Sequence, residues 1–226
     1  MPHLELGLPA AALDADRTRP ELTDSDLQTV AAQLGRPPRG LVAVAARCVC
    51  GAPLVVVTKP LLEDGTPFPT VFYLTQPAAI SAVGRLESTG LMARFNADLA
   101  EDQGLREAYL EAHRDYLAQR AQLGSPPQLD GVSAGGMPRR VKCLHVLVAH
   151  SLARGPGVNP LGDLVLAALV PDWRPDQCQC EHYEPPVKAA PGPANGRRQD
   201  SAEQPAAAGP RPEVSTGGDR PAERVV

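Results

Sequence analysis

"GLVAVAARCVCGAPLVVVTKP", residues Gly40–Pro60, decides how the rest of the chain is read. It is rich in valine and breaks once, at Gly51–Pro53. β-Branched runs of this length on either side of a Gly/Pro break read as two strands joined by a tight turn. Just downstream, "EDGTPFPTVFYLTQP" (Glu63–Pro77) supplies a turn at Asp64–Gly65 and a third strand around Thr70–Leu74, with prolines in its lead-in. Upstream, "LTDSDLQTVAAQLG" has Thr23 as an N-cap with Asp26 three residues on. Leu27, Val30, Ala31 and Leu34 follow at helical spacing, and Gly35 sits at the C′ position.

Helical segments fill the remainder. Thr75 is expected to cap a helix from Pro77 to about Thr89, ended by Gly90; a second covers Leu91–Glu101. A longer one lies in "GLREAYLEAHRDYLAQRAQLG" (Gly104–Gly124), with Leu105, Ala108, Tyr109, Ala112, Tyr116 and Leu117 on one face. After a loop at Val132–Gly136, a helix is expected from Pro138 to Arg154, and Asn159–Pro160 opens a last one to about Leu169. Strands first and helices after imply an α+β fold: a small antiparallel sheet of about three strands, followed by and packed on several helices.

The globular domain is expected over residues 22–183. Residues 1–21 read as a loose N-terminal segment. Residues 184–226 hold almost no large apolar side chains and no period, and read as a disordered Pro/Ala/Gly-rich tail. A net charge of −4 argues against general nucleic-acid or membrane-surface binding. No apolar run is long enough to span a membrane, and no signal peptide is apparent, so the sequence reading is cytoplasmic, with reduced thiols. Five cysteines, an odd number, point away from a disulfide framework.

"RCVCGAPLVVVT", "GTPFPTVFYLT", "GGMPRRVKCLHVLVAH" and "GPGVNPLGD", in that order, resemble an uncharacterised bacterial family, mainly actinobacterial, known as domain of unknown function 501. The resemblance runs from about Leu41 to Leu169. It implies membership, and brings no activity, cofactor or catalytic residue with it.

The third of those motifs carries the densest chemistry. If the helix begins at Pro138, then Arg139, Arg140 and Lys142 lie in or beside its first turn, where the dipole is already positive and each cation costs up to about 1 kcal/mol. Gly135 and Gly136 ahead of them permit close approach. Together these residues read as an anion-binding helix start for a small phosphate-bearing or carboxylate ligand. The competing reading pairs the cations internally with carboxylates such as Glu87 or Asp115. Within one helix, Cys143 and His145 point about 160–200° apart, and Cys143 and His150 lie about 10 Å apart, so the three cannot close on one metal.

His145, or His113 on the long helix, is the candidate general acid/base. Whether any reaction is catalysed stays open, and no Ser-His-Asp or nucleophile-elbow pattern is present. "CQCEHY" gathers Cys178, Cys180 and His182 within five residues; with Cys48 or Cys50 they could fill a tetrahedral site that zinc suits, the competing reading being a flexible segment with incidental thiols, and the cofactor stays open. Three readings follow: a small-anion binder or enzyme, which is preferred; a metal-stabilised Cys/His domain; and a non-catalytic protein–protein interaction module.

Overall fold

The computed structural model describes residues 22–180. The segments read as loose ends, 1–21 and 184–226, and His182 lie outside the described residues. Helix α1 (Asp24–Leu34) is closed at its start by reciprocal hydrogen bonds between Thr23 and Asp26, and at its end by Gly35 at φ 66°. Three strands, β1 (Leu41–Arg47), β2 (Pro53–Thr58) and β3 (Phe72–Leu74), form an antiparallel sheet in the order β1-β2-β3. Six α-helices and this sheet make an α+β arrangement. The break at Gly51–Pro53 is the β1–β2 turn, and the third strand is shorter than its sequence range because Thr70 and Val71 remain outside the ladder.

β2 is buried at every position. Its side chains alternate in direction: Val55 and Val57 enter the main core, while Val56 lines a groove that Leu34 of α1 also lines. α2 (Pro77–Glu87), α3 (Leu91–Glu101) and α4 (Gln103–Ala121) follow. The side chain capping α2 is Gln76, which accepts from the Ala79 N–H, rather than the expected Thr75. Thr75 instead turns its hydroxyl to the Leu54 carbonyl of β2.

α5 (Leu144–Arg154) is the centre of the fold, packing on β3, α2 and α6 (Pro160–Leu169). Its Leu144, Leu147, Val148 and Ala149 are fully buried. His150 is buried too, stacked on Phe72 and edge-on to Tyr116. Its Nδ1 accepts from the Asn159 amide and its Nε2–H donates to Asp115, so one imidazole joins α4, α5 and the cap of α6. Among the described residues, no helix is long and apolar enough to cross a membrane.

The helix expected from Pro138 begins six residues later, at Leu144. Residues 135–142 close on themselves: Gly136 O accepts from the Arg140 N–H, and Gly135 O from the Lys142 N–H. Asn96 of α3 grips Val141 on both sides, accepting from its N–H and donating to its carbonyl. The Val141 N–H and carbonyl are thereby taken by a side chain and the Lys142 N–H by Gly135 O, so these groups do not enter a helical ladder.

Candidate metal centre

Two clusters of metal-ligating side chains occur among the described residues. The first joins both C-x-C pairs. The β1–β2 turn is pinned by the Cys48 N–H to Ala52 O and the Gly51 N–H to Cys48 O, with Gly51 at φ 90°. Glycine suits that left-handed position, where a side chain would be strained. Arg47 spans the turn, reaching both the Gly51 carbonyl and Asp26 of α1.

The second pair arrives from the far end of the described chain. After α6, Trp173 is buried, and its indole N–H donates to Gln76 Oε1, the atom that also caps α2. Anchored there, the chain carries Cys178 and Cys180 back to the turn, and Gln76 Nε2 lies 3.7 Å from Cys180 Sγ. Sγ atoms of Cys48, Cys50, Cys178 and Cys180 all fall within 4.8 Å of one another. All four are free thiols. Sulfurs bonded to one zinc at about 2.3 Å in a tetrahedron would be about 3.8 Å apart, so a small inward movement closes the set.

Backbone donors already face two of these sulfurs: the Cys50 N–H points to Cys48 Sγ and the Ala52 N–H to Cys50 Sγ. That contact holds the Cys50 thiol down, to about 7, whereas burial pushes Cys48 and Cys180 up. Donors to sulfur of this kind orient and stabilise thiolate ligands. The sequence alone puts three ligands in Cys178, Cys180 and His182 with one from the turn. The structure brings together two from each pair, with His182 outside the described residues.

The second cluster is Glu87, Cys143 and His145. Cys143 is the N-cap residue of α5, with extended backbone at φ −154° and ψ 118°. This overturns the one-helix argument that kept it apart from His145. Outside the helix, its Sγ lies 3.9 Å from His145 Nδ1. Glu87, at the last turn of α2, brings Oε1 within 3.2 Å of the same nitrogen and accepts the Leu144 N–H at 2.7 Å. His145 Nε2 faces the Ile80 carbonyl at 3.2 Å. The thiol, the carboxylate and that carbonyl together raise the imidazole to about 9 against the opposing effect of burial. No periodicity in the sequence marks Glu87 for this role.

Arg139, Arg140 and Lys142 are exposed, and their side chains have no hydrogen bond or ion pair among the described residues. They are not paired with Glu87 or Asp115, since Asp115 is taken by His150 and Arg154. Nor do they sit at a helix start. The turn they occupy already uses the N–H groups of Arg140, Val141 and Lys142, and a Cβ on Gly136 would lie 2.5 Å from the Arg140 carbonyl. Gly135 and Gly136 therefore serve chain packing. His113 bonds Ser133 through Nδ1, and burial together with Arg120 and Arg114 lowers its basicity; it belongs to neither cluster.

No curated protein and no solved structure shows significant similarity to the chain. A family model does match, over residues 44–167, which include Cys48, Cys50, Glu87, Cys143 and His145 but end before Cys178 and Cys180. That stretch is more than half of the 226 residues and bears the description "protein of unknown function (DUF501)", and the chain belongs to this family.

Proposed function

We propose that Cys48, Cys50, Cys178 and Cys180 bind one zinc ion in a closed, all-sulfur structural site, making this a metal-stabilised domain. The observation that carries the reading is the meeting of two C-x-C pairs 128 residues apart in the sequence, with every sulfur within 4.8 Å of the others. Four protein ligands fill a tetrahedron and leave no position for substrate, which is the mark of a structural ion. Thiolates are soft donors suited to zinc. The ion would fasten the segment after Trp173 to the β1–β2 turn. Elemental analysis of the full chain, purified under reducing conditions, should give at least one zinc per chain, and the C178S/C180S variant should hold one fewer. A metal-free wild type that also fails to take up added zinc would end the proposal.

A small-anion site at Arg139, Arg140 and Lys142 is the second reading, supported by three exposed cations without side-chain partners. It lacks the free helix N-terminus that first suggested it. Isothermal titration with inorganic phosphate, comparing wild type with the R139Q/R140Q/K142Q variant, tests it; equal heats in both would remove it.

A further inference from the structure

The second cluster stands at the other end of α2 from the first. Gln76, which touches Cys180, and Glu87 are 11 residues apart. At about 1.5 Å per residue that is about 16 Å along the helix, too far for one ion to serve both. What Glu87, Cys143 and His145 can do depends on which imidazole nitrogen faces which neighbour. In a nucleophilic relay, the base would turn one nitrogen to the thiol and the other to the carboxylate. Here both Cys143 Sγ and Glu87 Oε1 approach Nδ1, while Nε2 is bound to the Ile80 carbonyl. A relay has no path through that arrangement. Three donors converging on one point, with the remote imidazole N–H fixed by a backbone carbonyl, is how metal-binding histidines are held.

We propose that Glu87 Oε1, Cys143 Sγ and His145 Nδ1 form a second zinc site, with the fourth coordination position left to solvent or an exogenous ligand. The separations suit it: sulfur to nitrogen 3.9 Å and nitrogen to oxygen 3.2 Å. Donors bonded to one tetrahedral ion at 2.0–2.3 Å would be about 3.4–3.6 Å apart. The charges suit it as well. On binding, Cys143 releases its thiol proton and His145 its Nδ1 proton to solvent; the thiolate and the Glu87 carboxylate then balance the dication. Glu87 keeps the Leu144 N–H as a supporting donor. Side chains of Glu87 and His145 are about one-quarter exposed, so water reaches the site. An open position of this kind belongs to zinc that polarises a bound water or carbonyl rather than to a purely structural ion.

This site does not depend on the four-cysteine one, and a single experiment separates them. The full chain, stripped of metal under reducing conditions, is titrated with zinc against a chromophoric chelator. Wild type should take two equivalents. C143S and H145N should each take one, and E87Q, whose amide can still accept the Leu144 N–H, should bind its second equivalent at least tenfold more weakly. C178S/C180S should lose the other equivalent and retain this one. Circular dichroism identifies which variants are folded, and E87Q decides the matter if the others are not. A wild type taking a single equivalent that survives in C143S, H145N and E87Q, and is lost in C178S/C180S, overturns this inference while leaving the four-cysteine site standing.

Discussion

Replacing Asp26 by Asn gives the sharpest quantitative test of how the β1–β2 turn is held. Asp26 is 5% exposed; its carboxylate accepts from the Thr23 N–H and hydroxyl and from both Nη atoms of Arg47, the residue preceding Cys48. The Arg47 hydrogen bonds, assisted by Thr23 and opposed by burial, lower its pKa from 3.8 to about 2. At about 1.4 kcal/mol per unit, the ionised form contributes about 2 kcal/mol, an upper figure because Arg47 is one-third exposed and partly screened. A depressed folded pKa gives stability that is present above the unfolded value and lost as pH falls through the folded one. In urea unfolding, D26N should therefore be about 2 kcal/mol less stable than wild type at pH 7, with the gap narrowing to below about 1 kcal/mol at pH 2.5. Comparing the two proteins at each pH cancels the titration of the other carboxylates. A gap that stays constant from pH 7 to 2.5 would refute the linkage, and a gap below about 0.5 kcal/mol at pH 7 would refute the magnitude.

Other substitutions test the core and the metal centre. Gly162→Ala in α6 should destabilise, although alanine is the better helix former by about 1 kcal/mol: its Cβ would lie 2.4 Å from the Leu147 carbonyl of α5, and overpacking against backbone costs about 1–3 kcal/mol, read as a lower urea midpoint. Tyr116→Phe removes the acceptor of the buried Val71 N–H and should cost about 1–3 kcal/mol in the same assay; an unchanged midpoint would show that this N–H finds another partner. Chelation should lower the thermal midpoint of wild type by more than that of C178S/C180S, which lacks the four-cysteine ion and keeps only the one at Glu87, Cys143 and His145. H182A should keep the zinc of the four-cysteine site, because four thiolates already complete its tetrahedron; loss of one equivalent on elemental analysis would make His182 a ligand in place of a cysteine.

The α+β class, the β1–β2 break, the Thr23–Asp26 capping box and the helices that begin at Pro77, Leu91 and Pro160 were all legible in the sequence. Each is a local matter: the valine pattern, a cap within three residues, a proline at N1, a glycine at positive φ. The thiol pairs were visible as candidate ligands for the same reason, since each C-x-C is contiguous. The start of α5 was misread because its decisive hydrogen bonds are not local. Asn96 competes for Val141 from 45 residues away, and Glu87 claims the Leu144 N–H from 57. Local propensity favoured a helix from Pro138, and two side chains from other elements outbid it.

That displacement reorganised the site. An extended Cys143 can face His145 where a helical one could not, and the three cations lost the helix terminus that had given them a role. Convergence of Cys48 and Cys50 with Cys178 and Cys180 likewise depends on Trp173 docking against Gln76. The sequence by itself determined the strand pair, its turn and most of the helices, though not the start of α5 or the cap of α2, because those preferences are set within a few residues along the chain. Which ligands meet, and around which point, was decided by the tertiary structure alone, because burial and long-range hydrogen bonds choose among backbone conformations that local preference leaves close in energy.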